Sequence, residues 1–120
     1  MATINIFVSR AGNSNQIKLK DSEGHNPGND DITTLVNPGD VIIWQLDDNS
    51  GLYSLDGVEI KGDSPYNLLS VAPTGRDNVF TASVTRASPG QGAIEKYKIG
   101  YTINRGEQTQ WDDPKLQMNN

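Results

Sequence analysis

Hydrophobic and polar positions alternate with a period of two along most of this chain. The longest run is Lys96–Asn104, where Tyr97, Ile99, Tyr101 and Ile103 fall on one side and Lys96, Lys98, Thr102 and Asn104 on the other. Such a period predicts a β-strand with one buried and one wet face. Thr3–Ser9 repeats the pattern with Ile4, Ile6 and Val8 against Asn5 and Phe7, and Gln16–Lys20 does so with Ile17 and Leu19 against Lys18 and Lys20. Ile32–Val36 and Asn78–Ala87 add two more strands, the latter with Phe80, Ala82 and Val84 inward. Val41–Leu46 is nearly all apolar, which predicts a central strand with Trp44 as the anchor of the core.

Turn residues punctuate these runs. Asn37-Pro38-Gly39-Asp40 combines a fixed and a permissive backbone and reads as a turn. Asp56-Gly57 between Leu52–Leu55 and Val58–Lys61 predicts a two-residue hairpin. Gly62–Pro65 and Ser88–Gly92 read as turns, and Asp21–Asp31 and Ala72–Asp77 as loops. Tyr66–Val71 reads as an irregular strand or a single helical turn, and Asp112–Met118 as a short closing strand. No ten-residue window carries a helical stripe. The 120 residues therefore form one domain, 1–120, an all-β sandwich of seven or eight strands. The four tyrosines, Tyr53, Tyr66, Tyr97 and Tyr101, are expected in the core or at its edge.

Two segments narrow the fold. Val36-Asn37-Pro38-Gly39-Asp40-Val41-Ile42-Ile43-Trp44 resembles the V-x-x-G-D-x-V-x-W strand of cupredoxin-like sandwiches, with Ile42 in place of the second Val. The ending, Tyr97–Ile103 followed by Asp113-Pro114-Lys115-Leu116-Gln117-Met118, resembles the closing hairpin of small bacterial cupredoxin-like domains related to inclusion-body proteins. The resemblance implies a Greek-key β-sandwich; an immunoglobulin-like sandwich is the alternative. It implies no activity. A blue-copper site needs a Cys thiolate and two His. This chain has no Cys, His25 alone, and Met only at positions 1 and 118. The resemblance is thus to a relative without copper.

Composition limits the chemistry further. The absence of Cys rules out disulfides, thiolate catalysis and Cys-based zinc sites. A net charge of −5 argues against nucleic acid and against anionic membrane surfaces. Ten of the fifteen carboxylates lie between Asp21 and Asp63, so one region of the surface is expected to be negative. With no leader and no long apolar run, the chain reads as cytoplasmic, or as exported without a signal peptide.

Candidate sites are few. His25 has Asp21 and Ser22 close in sequence, but no nucleophile motif supports a hydrolase. The chain reads as non-enzymatic, with no catalytic residues and no cofactor. Asp47, Asp48, Asp56 and Glu59 form the densest group of oxygen ligands and are the calcium candidates, with Asp30-Asp31 as possible contributors. Trp111 follows a polar stretch and is the candidate for contact with a ligand or partner. The function expected is interaction or self-assembly, with itself or another protein as partner. The alternative is a calcium-assisted, lectin-like carbohydrate-binding module that uses Trp111 as a stacking platform.

Overall fold

A computed structural model describes residues 2–29, 31–64 and 66–119. Ten strands run in the order β1 (Thr3–Arg10), β2 (Ile17–Asp21), β3 (Thr33–Val36), β4 (Val41–Leu46), β5 (Ser54–Ile60), β6 (Leu69–Arg76), β7 (Val79–Val84), β8 (Ile94–Thr102), β9 (Gln110–Asp112) and β10 (Lys115–Met118). They build two mixed sheets. The first has the order β2-β1-β4-β7-β6; the second has β3-β10-β8-β5, with β9 also paired to β8. The all-β sandwich expected from the alternation is the fold observed. β1 runs parallel to β4, and β10 parallel to β3.

The core lies between the sheets and is made by the inward positions of each strand. Ile4, Ile6, Val8, Ile42, Trp44, Ala82 and Val84 come from the first sheet; Leu55, Val58, Tyr97, Ile99, Tyr101, Leu116 and Met118 come from the second. Trp44 is fully buried and joins the two sheets. Its ring meets Tyr97 edge-on at 5.4 Å, and its Nε1–H donates to the Tyr97 hydroxyl at 3.1 Å. The indole thus buries its area without stranding its N–H, and the edge contact adds about 0.5–1.5 kcal/mol. Burial pushes the Tyr97 hydroxyl pKa well above the ordinary tyrosine value.

Three expectations are corrected. Asp56-Gly57 is not a hairpin. Leu52–Leu55 and Val58–Lys61 belong to one course of chain, and β5 pairs along the length of β8 with a register shift between Leu55 and Gly57. The reason is parity: Leu55 and Val58 are both buried, yet three positions apart they would face opposite sides of a regular strand. One extra residue, Asp56, restores the phase as a bulge. The real hairpin is where a loop was expected. Ala72–Asp77 falls mostly within β6, and Asp77 and Asn78 turn the chain into β7 with φ of 56° and 68°. Two successive left-handed residues make a type I′ turn, which matches the twist of the strands it joins. The expected closing strand Asp112–Met118 is two pieces, β9 and β10, separated at Asp113-Pro114. These changes raise the strand count from the expected seven or eight to ten. The predicted turn at Gly62–Pro65 includes Pro65, which lies outside the described residues. No helix among the described residues is long and apolar enough to cross a membrane.

Candidate functional site

The outer face of the second sheet carries the most unusual surface of the molecule. On β8, Tyr97, Ile99 and Tyr101 are buried, so Lys96, Lys98, Gly100 and Thr102 take the other face. Gly100 stands opposite Gly57 on β5 and Trp111 on β9. The two glycines leave a shallow bed, and the Trp111 ring lies over it. A Cβ on Gly100 would come within 2.8 Å of the indole, and one on Gly57 within 3.3 Å. Trp111 is still 41% exposed. A strand that held ordinary side chains at these two positions would push the ring off the sheet.

A cation sits at the indole, and further ion pairs lie along the same face. The Lys98 ammonium sits 4.7 Å from the centre of the ring, a cation–π geometry, and pairs with Glu59 at 3.6 Å. Lys61 pairs with Asp113 at 3.5 Å and Lys96 with Asp63 at 3.8 Å. These exposed pairs contribute little stability, about 0–1 kcal/mol each. Their pattern is the informative part: cations and anions are interleaved along the outer face of β5 and β8 that also carries the indole.

Beside them, the bulge residue Asp56 collects three hydroxyl donors. Ser54 donates to one carboxylate oxygen, and Thr102 and Thr109 donate to the other. Desolvation pushes the Asp56 pKa up, but the three hydrogen bonds outweigh it and hold the carboxyl below its ordinary value. The cluster ties the segment before β9 to β5 across β8 and so fixes the approach to Trp111.

The four calcium candidates do not converge. Asp47 belongs to the first sheet's side, where it pairs with Lys20 at 3.0 Å and its other oxygen accepts from the Asp48 amide. Asp56 and Glu59 lie on the outer face of the second sheet, engaged as described. Sequence proximity misleads here because the chain crosses from one sheet to the other between Leu46 and Ser54. Of the Asp30-Asp31 pair, Asp30 lies outside the described residues, and Asp31 is exposed. The four tyrosines, expected in the core or at its edge, divide into two pairs. Tyr97 and Tyr101 are buried, but Tyr53 is 54% and Tyr66 46% exposed, because both precede their strands.

Among the described residues, one set of three brings potential metal-binding atoms within 4.8 Å: Asp21, Glu23 and His25. Asp21 is already committed. Its carboxylate accepts from the Glu23 and His25 amides at 3.0 and 3.1 Å, from His25 Nδ1 at 2.8 Å and from the Thr34 hydroxyl at 2.8 Å. This is the wiring of a loop organiser that fastens the segment after β2 to β3. Desolvation, and then the Asp21 charge, raise the Glu23 pKa. Ser22, the neighbouring hydroxyl, accepts from the Asn5 amide at 2.9 Å.

No protein-family model matches the chain, and no curated protein matches it in sequence. Among solved structures, a cysteine protease inhibitor from Entamoeba histolytica is similar over 99% of this chain and 97% of its own, with a TM-score of 0.43 and 13% identity. At that distance the likeness says nothing about what this chain binds.

Proposed function

We propose that this chain is a non-enzymatic self-association module, built on a copper-free cupredoxin-like sandwich, whose contact surface is the Trp111 face of the second sheet. The observation that carries the reading is the exposed indole bedded on Gly57 and Gly100. Tryptophan is among the residue types enriched at the energetic centres of protein contacts. The three cation–anion pairs on the same sheet face add a second reason. A two-fold contact brings the same patch of both copies together, so the patch must complement itself. Interleaved Lys61, Lys96 and Lys98 with Asp113, Asp63 and Glu59 allow each copy's cations to meet its partner's anions.

Light scattering across a concentration series tests this. The wild type should grow in mass with concentration, and Trp111→Ser should weaken association by more than about tenfold. Lys98→Glu, which leaves the indole in place, should weaken it as well. A wild type that stays monomeric throughout, or oligomers indifferent to both changes, would sink the proposal.

A carbohydrate stacked on Trp111 is the second reading, favoured by the same exposed ring. It requires Lys98 to move off the indole and has no single calcium cluster to draw on, since Asp47 and Asp48 follow β4 of the first sheet while Asp56 and Glu59 belong to β5 of the second. A glycan array on which wild type binds and Trp111→Ser does not would support it.

A further inference from the structure

Asp56-Gly57 is the one aspartate–glycine pair in the chain, and no asparagine precedes a glycine. A glycine after aspartate leaves the peptide nitrogen unshielded, so this dipeptide is the most open to attack on its own side chain. The fold brings the pair together at this place for two separate reasons. The bulge inserts Asp56 without an opposite residue on β8. The Trp111 ring crowds the next position, where a Cβ would meet the indole at 3.3 Å, and so favours glycine there. Asp56 itself is exposed to water.

The reaction open to this pair balances with water alone. The Gly57 nitrogen gives up its proton and bonds to Asp56 Cγ. The bond from Cγ to one carboxyl oxygen breaks, and that oxygen leaves with two protons as water. A second water then opens the five-membered ring. Opening at the main-chain carbonyl passes the backbone through Cγ, which leaves an isoaspartate and a main chain one methylene longer. The first step sets two conditions. The carboxyl has to be protonated, because an ionised one cannot release its oxygen, and the side chain has to turn Cγ onto the Gly57 nitrogen.

The same three hydroxyls oppose both conditions. Ser54 donates to one carboxylate oxygen, and Thr102 and Thr109 donate to the other. Donors on both oxygens favour the ionised form and hold the carboxyl below its ordinary pKa. Anchors on β5, on β8 and in the segment before β9 also fix the direction in which the side chain points. We infer that Asp56-Gly57 is a latent site of spontaneous isomerisation, kept closed in the native fold by the Ser54, Thr102 and Thr109 hydroxyls. An isoaspartate here would lengthen β5 at the bulge, next to the glycine that beds the indole. The inference concerns bond chemistry within one chain and stands or falls without the association proposed for that face.

Prolonged warm incubation at mildly acidic pH tests it, followed by proteolysis and mass spectrometry with backbone cleavage, which separates isoaspartate from aspartate at position 56. Isomerisation of an aspartate leaves the mass unaltered, whereas isoaspartate formed from an asparagine changes it, so the two are told apart. The folded wild type should accumulate little, and the wild type in urea far more. Ser54→Ala and Thr109→Val, both at partly exposed positions, should each accelerate the reaction in the folded protein by roughly fivefold, since each raises the protonated fraction and frees the side chain. Glu95→Ala weakens the fold from a buried position and leaves the hydroxyls in place, so it should age like the wild type. Thermal melts show that each protein is folded during incubation. Hydroxyl variants that age no faster than the wild type would assign the protection to strand rigidity and overturn the inference. Equal acceleration by Glu95→Ala, or a folded wild type that ages as fast as the urea sample, would overturn it as well.

Discussion

Glu95 shows how much one side chain can constrain this fold. It lies on the inward face of β8 and is fully buried. One carboxyl oxygen accepts from the Leu68 amide at 2.9 Å, while the other has no partner among the described residues. Desolvation raises its pKa above the ordinary value, more than the amides of Leu68 and Leu69 lower it. The folded state therefore holds the Glu95 proton more tightly than the unfolded chain does. The stability this group contributes is fully present below the unfolded value of 4.5 and is lost as pH rises through the folded pKa. Glu95→Gln keeps the acceptor for Leu68 and cannot ionise. Urea unfolding should find it at least as stable as wild type at pH 7, with a flatter pH dependence above pH 4.5. Glu95→Ala should lose about 1–3 kcal/mol, because it strands the Leu68 amide. A Gln variant markedly weaker than wild type at pH 7 would show that the ionised form is the one the fold wants. Nothing in the alternation around Lys96–Asn104 flags Glu95. A carboxyl at an inward position is visible only once the strand is known to begin at Ile94.

At the scale of elements, the strands with one buried face were legible and the connections were not. Ile4-Ile6-Val8, Ile17-Leu19 and Tyr97-Ile99-Tyr101 declare their inward faces because each strand obeys a strict period. The Asp-Gly signal failed because a turn dipeptide also serves as a bulge, and the choice depends on the partner strand. The Asp77-Asn78 turn went unread because neither residue is Gly, the usual occupant of a left-handed position. Asn78 has a second duty: its side-chain oxygen accepts from the Leu55 amide at 3.0 Å, tying the hairpin tip to the start of β5. Asn78→Ala should therefore cost about 2–4 kcal/mol, from left-handed strain together with the orphaned Leu55 amide. Thermal unfolding would measure it, and a loss well under 1 kcal/mol would mean the tip is not anchored as described. β10 is the firmest element of the second sheet, since it lies between β3 and β8 and buries Leu116 and Met118. Deleting Asp113–Met118 should abolish the cooperative thermal transition. A truncated chain that still melts sharply would refute this topology.

For the whole molecule, six of the ten acids between Asp21 and Asp63 are dispersed by the fold: Asp21, Asp40, Asp47, Asp56, Glu59 and Asp63 do not share one face. Asp21 and Asp40 are buried as turn organisers; Asp40 accepts from the Ala2 and Asn37 amides. Asp47 goes to the first sheet, while Asp56, Glu59 and Asp63 go to the second and face lysines or hydroxyls. A linear count of charges cannot see this, because successive strands deliver neighbours in sequence to opposite sides of the sandwich. The same separation places the chain's two tryptophans in contrasting surroundings. Trp44 is sealed between the sheets with its N–H on Tyr97, and Trp111 lies open on an outer face beside Lys98. The protein thus carries two built-in fluorophores that answer different questions. Dilution that separates associated copies should alter only the Trp111 share of the emission, while loss of the fold should shift both. A Trp44→Phe variant would leave a single-dye reporter of the outer face, readable without any added label.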